Sequence, residues 1–280
     1  MALLDPGDEV IVFEPYYGYH INTLFAVGAV PSYVALLGPE WTFTQEALAR
    51  SITPKTRGIL VNTPANPSGK VFNSEELSWV ADCARRRDLF VFTDEIYEYF
   101  LYDGRQHLSP ASLPGMAERT ITISGFSKTY SITGWRIGYS ISNRQWSQMI
   151  GYMNDLIYVC APSPLQAGVA GGILELMPNF YHDLCAQFAG KRERLCRALL
   201  QAGLLPCVPE GAYYVLADVS RLPGITSKER AMWLLSRTGV ASVPGEAFFR
   251  APQGENFVRF CFAKTDAELE LACQSLEKLQ

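Results

Sequence analysis

The sequence predicts an α/β fold in which a mostly parallel sheet is sandwiched by helices, followed by a smaller C-terminal α+β domain. Short β-rich runs alternate with helical stretches in the first half of the chain. Their strand–helix–strand spacing is typical of crossover units, which produce parallel pairing. A long amphipathic stretch then leads into a second group of strands and helices.

Apolar, β-branched runs predict the strands of the first half. These runs lie at residues 9–13, 58–61, 89–92 and 120–123. Residues 74–87 between the second and third runs predict a helix. Ser74 suits its N-cap, Glu75 and Glu76 suit its first turn, and arginines suit its last turn. This order predicts helices on both faces of the sheet.

A long amphipathic stretch at residues 179–204 is expected to bridge two domains. After it come predicted strands at 213–217 and 257–262, and predicted helices at 227–238 and 266–279. We therefore place a domain boundary near Pro178. It separates a large domain, residues 1–178, from a small domain, residues 179–280.

Composition restricts the classes of function. The 280 residues are 48% hydrophobic and 19% charged, with a net charge of −4, as in ordinary globular proteins. The charges form no basic stripe, which argues against a nucleic-acid partner. The apolar runs are too short for a membrane span, which argues against membrane insertion. Three histidines without metal-ligand spacing argue against zinc.

Cysteine usage favours a reducing compartment. The seven cysteines are odd in number, form no C-x-x-C pair and mostly have apolar neighbours, as free thiols do. The first eight residues lack the basic and apolar regions of a signal peptide. The predicted location is the cytoplasm.

Three predicted strands lead into polar residues of complementary chemistry. The first leads to Asn66, the second to Asp94 and Tyr97, and the third to Lys128. Ligands of an open parallel sheet bind outside the carboxyl ends of its strands. If the crossovers share one hand, these four side chains converge on one crevice.

Each of these residues also has a structural interpretation. Asn66 begins an ordinary turn signature, and Asp94 suits the N-cap of a following helix. Tyr97 suits a core position, and Lys128 suits the surface. The two arginines singled out below, Arg136 and Arg259, suit ion pairs with nearby carboxylates. The ordered joint occurrence of these residues favours the functional interpretation.

A pyridine aldehyde that acts as an electron sink requires such a set of residues. A partly buried lysine has a lowered pKa and bonds to the aldehyde. An aspartate beside the ring nitrogen keeps that nitrogen protonated. A phenol and an amide hydrogen-bond the ring oxygen, and an arginine with hydroxyls holds the phosphate. A second arginine binds a substrate carboxylate through two parallel hydrogen bonds.

Four motifs resemble those of the class I/II aminotransferases, which are fold type I enzymes dependent on pyridoxal 5′-phosphate. They are Asn-Pro-Ser-Gly at 66–69, Thr-Asp-Glu-Ile-Tyr at 93–97, Ser-Lys-Thr-Tyr-Ser-Ile-Thr-Gly-Trp-Arg-Ile-Gly at 127–138 and Val-Arg-Phe at 258–260. The resemblance covers essentially the whole chain, and the lysine segment is highly specific.

The resemblance implies a role for each matching residue. Lys128 is implied as the lysine that bonds the cofactor and moves the substrate proton. The remaining implied contacts are Asp94 at the pyridine nitrogen, Tyr97 and Asn66 at the ring oxygen, Tyr17 stacked on the ring, Arg136 and Ser127 at the phosphate, Arg259 at the α-carboxylate, and Tyr213 at the substrate pocket, with strand core as its alternative.

Two departures from the family pattern accompany the resemblance. Members normally carry a leading portion before the point that matches residues 3–9, and it supplies a phosphate-binding turn, a substrate-contacting glycine and an arm over the dimer partner. We therefore expect an incomplete N-terminal region and weakened cofactor binding. Gly125 also stands where many relatives place a phosphate-binding hydroxyl, and Ser124 and Ser127 are the alternative hydroxyls nearby.

The resemblance implies a transaminase that moves the amino group of an α-amino acid to a 2-oxo acid, as a homodimer. A single carboxylate anchor and an aromatic-rich mouth favour a neutral or aromatic amino acid. One alternative is a lyase, cyclase or oxidase that uses the same cofactor on the same fold. The other is a catalytically silent fragment of an aminotransferase.

Overall fold

Six strands form the larger sheet of the computed structural model, which describes residues 1–177, 179–250 and 252–279. They are β1 (Glu9–Glu14), β2 (Val30–Ala35), β3 (Thr56–Asn62), β4 (Phe90–Asp94), β5 (Thr120–Gly125) and β6 (Gly138–Ile141). Their order is β2-β1-β3-β4-β5-β6. Strands β1 to β5 pair in parallel, and only β6 is antiparallel. The predicted, mostly parallel sheet is confirmed.

Helices cover both faces of this sheet because its strands are apolar on both sides. The first three helices are α1 (Gly18–Ala26), α2 (Gln45–Arg50) and α3 (Ser74–Arg87). On one face Ile11 of β1 shares a core with Leu77 of α3. On the other face Val10 and Val12 pack with Ile21 of α1. Successive side chains of one strand thus supply two cores.

The N-cap of α3 is Asn73, so the prediction of Ser74 was wrong by one residue. The Asn73 side chain accepts a hydrogen bond from the Glu76 backbone N–H at 2.9 Å. In return the Glu76 carboxylate accepts from the Asn73 N–H at 3.0 Å. Asparagine and serine both cap helices well, and the reciprocal bond from a glutamate three residues on selects Asn73.

The second half contains five helices and a second sheet within the described residues. The helices are α4 (Arg144–Ile157), α5 (Ser163–Glu175), α6 (Asn179–Gln201), α7 (Ser227–Thr238) and α8 (Asp266–Glu277), and the strands are β7 (Leu205–Cys207), β8 (Tyr214–Asp218), β9 (Val243–Pro244) and β10 (Phe257–Cys261). The antiparallel order is β7-β8-β10-β9. The predicted strands and helices of this half are present.

Helix α6 joins the two parts of the chain, as its amphipathic pattern predicts. Leu195 and Leu199 on α6 pack in one core with Phe100, which follows β4, and with Val215 on β8. This shared core binds the second sheet to the first. The predicted boundary at Pro178 lies outside the described residues, so the division into two domains remains a prediction.

Among the described helices, none combines the length and apolarity that crossing a membrane requires.

The capping of α3 generates a stability prediction. Asn73→Ala removes the side-chain oxygen that accepts from the Glu76 N–H, and we expect it to lower the free energy of unfolding by about 1 kcal/mol. Ser74→Ala is the matched control and should change stability by much less. Urea denaturation followed by circular dichroism measures both variants. An equal or larger loss for Ser74→Ala would contradict the assignment of the cap.

Candidate active site

The carboxyl ends of three neighbouring parallel strands lie at one level of the sheet. Asn62 at the end of β3 is the register partner of Asp94 at the end of β4. Asp94 in turn is the partner of Ile123 on β5. Side chains that follow these strands are therefore delivered to one edge of the sheet, as the sequence predicts.

Asp94 is held in a fixed orientation at this edge. Its Oδ2 lies 2.9 Å from Nε2 of His20, and its Oδ1 accepts a hydrogen bond from the Ile96 N–H at 3.2 Å. Its backbone carbonyl accepts from the Asn62 side chain at 3.0 Å. Both carboxylate oxygens thus have partners that set the direction of the group. This is the environment of an oriented carboxylate, and Asp94 does not cap a helix.

Lys128 lies in the same electrostatic environment as Asp94. Burial holds the pKa of the Lys128 amine below its usual value, and the charge of Arg136 lowers it further. The negative charge of Asp94 acts in the opposite direction. Burial is the largest cause, as expected for an amine at the mouth of a strand. More of the amine is therefore neutral and nucleophilic near neutral pH than on an exposed lysine.

The segment that leads to Lys128 passes very close to β6. A Cβ at Gly125 would lie 2.9 Å from the Cα of Gly138 and 3.0 Å from the Ile137 carbonyl oxygen. A side chain at either glycine would push the two strands apart. This close approach leaves no room for a hydroxyl side chain at position 125.

The loop after Lys128 carries the residues predicted at the phosphate. The backbone of Arg136 has a φ of 58°, and its Nη1 donates to the Thr133 carbonyl at 2.8 Å. The Thr133 hydroxyl donates to the Ser127 carbonyl at 3.1 Å. These bonds fold the loop back on itself, so that Arg136 acts electrostatically on Lys128. Its side chain is exposed and accessible to an anion.

Arg259 on β10 reaches the same crevice from the second sheet. Its Nη1 donates to Oδ1 of Asn66 at 2.7 Å. Its guanidinium carbon lies 4.1 Å from the centroid of the Tyr214 ring and 4.7 Å from that of Phe248. The buried Nε has no hydrogen-bond partner among the described residues. This clamp between two rings leaves donors available for a planar carboxylate.

Tyr17 lies between these groups, at the start of α1. Its half-buried ring stacks on Tyr19 at 5.2 Å and meets His20 edge-on at 5.2 Å. Burial raises the pKa of the Tyr17 phenol, with further contributions from Tyr214, Tyr19 and Asp94, whereas Arg259 lowers it. Tyr17 therefore lies within the influence of both sheets, beside the residue that orients Asp94.

The tyrosines at 97 and 213 lie deeper than the other predicted residues. The Tyr97 hydroxyl donates to the Tyr214 hydroxyl at 3.2 Å. The Tyr213 ring packs at 5.0 Å from Tyr97 and 5.4 Å from Phe100. Burial is the first cause of the raised pKa of Tyr97, so its phenol stays protonated and able to donate. Tyr213 occupies the core, and Tyr214 lies beside Arg259.

Sequence reasoning missed three residues of this crevice. His20 lies one helical turn after Tyr17, and the three-residue spacing at the start of α1 is the signal for it. Tyr214 follows Tyr213, and only the register of β8 shows which ring faces Arg259. Cys261 shares a face of β10 with Arg259, two residues away, and this alternation is its signal.

The chemistry of this set fits a phosphorylated pyridine aldehyde. Lys128 supplies a nucleophilic amine, and Asp94 supplies an oriented carboxylate within its electrostatic range. Tyr17 supplies an aromatic surface near Asp94, and Arg136 supplies an exposed cation that acts on Lys128. These are the groups that an imine-forming cofactor requires.

The electrostatics of Lys128 predict the direction of two shifts. Trace acetylation of Lys128 against pH should give a midpoint below 10.5, the ordinary lysine value. Arg136→Gln removes a neighbouring positive charge and should move the midpoint up. Asp94→Asn removes a negative charge and should move it down. Mass spectrometry of the labelled peptide measures each midpoint, with Arg144→Gln as the control. Unchanged midpoints in both site variants would contradict the charge assignments.

Comparison with known proteins places this geometry in a family. The solved structure of N-succinyldiaminopimelate aminotransferase from Mycobacterium tuberculosis superposes with a TM-score of 0.94 at 33% identity, over 100% of this chain and 73% of that one. The aromatic aminotransferase from Pyrococcus horikoshii OT3 gives 0.92 at 32% identity, over 99% and 74% of the two chains.

Curated relatives give the same result from sequence. Human kynurenine–oxoglutarate transaminase 3 is 36% identical over 97% of this chain and 66% of its own length. The kynurenine–oxoglutarate transaminase of Dictyostelium discoideum is 34% identical over 100% of this chain and 73% of its own. The chain thus spans about two thirds of the length of the curated relatives it matches.

A family profile covers almost the whole chain. The profile described as aminotransferase class I and II matches residues 1–276. With the superpositions, this match confirms the predicted fold type I architecture. The chain belongs to the class I and II aminotransferases, a family that depends on pyridoxal 5′-phosphate.

Proposed function

We propose that this protein is a pyridoxal 5′-phosphate-dependent transaminase that moves the amino group of an α-amino acid to a 2-oxo acid. The observation that carries the proposal is the placement of Lys128, with its lowered amine pKa, within the electrostatic range of the oriented carboxylate of Asp94. Family membership and the names of the relatives support the same reaction.

Each residue of the site would hold a different part of the cofactor. Lys128 would bond to the aldehyde, Asp94 would hold a proton at the ring nitrogen, and Tyr17 would cover the ring. Arg136 and Ser127 would hold the phosphate. Asn66 would donate to the ring oxygen, and Tyr97 would support it from the core through its contact with Tyr214.

When bound, the cofactor would supply an electron sink for the pair of electrons left at the substrate α-carbon. Lys128 Nζ would take the proton from that carbon and return it on the cofactor side, and general acid–base catalysis of this kind contributes about 10²–10⁴-fold in rate. His20 orients Asp94, the carboxylate that would hold the proton of the ring nitrogen. The lowered pKa of Lys128 provides the neutral amine that accepts the proton.

Arg259 binds the substrate α-carboxylate and sets its orientation. Asn66 occupies Nη1, and Nε is the donor left without a partner among the described residues. The rings of Tyr214 and Phe248 hold the guanidinium from its faces. These rings and Tyr17 make the surroundings aromatic, which supports a neutral or aromatic amino acid as substrate. The named activities of the kynurenine and aromatic relatives agree with this choice.

An acceptor-dependence assay tests the proposed reaction. Protein loaded with pyridoxal 5′-phosphate should convert phenylalanine or kynurenine to the 2-oxo acid only when a second 2-oxo acid is present, and faster than it converts aspartate. Lys128→Ala should lose at least about 10²-fold of the turnover because the proton carrier is gone. Lys228→Ala, at an exposed lysine on α7, is the control.

Two outcomes of this assay would refute the proposal. Release of ammonia from the amino acid without an acceptor would indicate a lyase. If the wild type and Lys128→Ala have the same turnover, or if neither turns over the amino acid, Lys128 does not catalyse this reaction.

We also propose a cytoplasmic homodimer. All seven cysteines are free thiols, which supports a reducing compartment. Helix α4 exposes Tyr152, Leu156 and Ile157 at 62–66% of their surfaces, and such an apolar face suits a subunit contact. Light scattering should give twice the chain mass of 31.1 kDa. A monomeric mass that stays constant with concentration would refute the dimer.

A further inference from the structure

A second cavity lies beside the Lys128 segment, which contributes Phe126 and Tyr130 to its lining. Its empty volume is about 410 Å³, including the part that opens to solvent. Five aromatic rings and one carboxylate enclose it: Tyr99, Phe126, Tyr130, Tyr139, Tyr181 and Glu98. None of these six has a part in the proposed transamination.

The rings form two walls. Tyr99 and Tyr181 make the first wall, with centroids 4.4 Å apart and planes tilted by 30°. Phe126 makes the second wall with Tyr130, stacked at 5.6 Å, and with Tyr139 at 5.5 Å. Two separate aromatic surfaces therefore face one space.

Hydrogen bonds close the walls into a ring. On one side the Tyr130 and Tyr181 hydroxyls lie 2.8 Å apart. On the other side the Tyr139 hydroxyl donates to Oε1 of Glu98 at 3.3 Å. Glu98 precedes Tyr99 in the chain, so the carboxylate completes the circuit. A ring fixed at both sides is preorganised for a ligand.

The carboxylate of Glu98 has no counter-ion among the described residues. Its Oε1 accepts from the Ser124 hydroxyl at 2.9 Å and from Tyr139, and no described side chain donates to Oε2. An aromatic enclosure with an unneutralised carboxylate attracts cations, since ring faces and the carboxylate are both negative.

The raised pKa values of two tyrosine hydroxyls indicate the same negative potential in the cavity. Burial raises the pKa of Tyr99 to about 12, with Glu98 as the second cause. Burial also raises the pKa of Tyr139, to which the charges of Glu98 and Glu95 contribute. Negative groups thus act on both walls of the cavity.

We propose that the cavity lined by these five aromatic residues and Glu98 is a binding site for an organic ammonium cation. The rings would surround the alkyl groups on the nitrogen, and Oε2 of Glu98 would face the positive charge. The site takes a cation whose charge is spread over alkyl groups, because such a cation gives up its hydration more readily than a small metal ion does.

Choline and its uncharged isostere 3,3-dimethylbutan-1-ol are the probes. Isothermal titration of the wild-type protein should give saturable binding of choline, and binding of the alcohol at least tenfold weaker. Glu98→Gln should weaken choline binding at least tenfold, because the amide keeps the shape and the acceptor for Tyr139 but removes the charge. Glu118→Gln, at an exposed carboxylate elsewhere, should bind choline as the wild type does.

A second variant separates the site from the stability of the fold. Tyr99→Leu removes one half-exposed ring and leaves Glu98 in place, and it should also weaken choline binding at least tenfold. The proposal is overturned if choline and the alcohol bind equally, if neither saturates at millimolar concentrations, or if Tyr99→Leu and a folded Glu98→Gln bind choline as the wild type does. These titrations need no pyridoxal 5′-phosphate, so failure here is independent of the proposed transamination.

Discussion

The parallel register of β3, β4 and β5 is the constraint on which the site depends. Because Asn62, Asp94 and Ile123 are register partners, the chain leaves the sheet at one level three times in succession. A slip of one residue would turn each following side chain to the opposite face. Strand β3 contributes side chains to both cores, so a slip of this strand would displace two cores at once. The stability of the sheet and the geometry of the site therefore have one cause.

The second sheet contributes charge and aromatic surface to a site that the first sheet positions. Arg259 crosses to Asn66, and the core shared by Phe100, Leu199 and Val215 holds the two sheets together behind that contact. Arginine is suited to this position because its planar group packs between rings and still donates in its own plane. A lysine would lose both the stacking and the fork of donors. The position of Arg259 thus depends on packing between the two parts of the chain.

Local patterns predicted the elements and the residues with strong chemical identity. Lys128, Asp94 and Asn66 follow strands whose apolar runs are plain in the sequence, and parallel topology brings them to one edge. Arg259 reaches them from the antiparallel second sheet. What the sequence could not supply depends on long-range geometry. The contact of His20 with Asp94 joins residues 74 positions apart. Whether Tyr213 or Tyr214 faces Arg259 depends on register, which a pair of equal residues cannot reveal. The antiparallel β6 follows a loop whose course no periodicity marks.

The bare backbone contact between Gly125 and Gly138 couples the two strands that flank the lysine loop. A serine at position 125 would push β6 away from β5. The arginine two residues before Gly138 would travel with it, so the gain of one anion-binding hydroxyl would cost the alignment of the neighbouring guanidinium. No substitution at position 138 relieves this clash, because Gly138 already lacks a side chain, so diversification of this loop must begin at other positions.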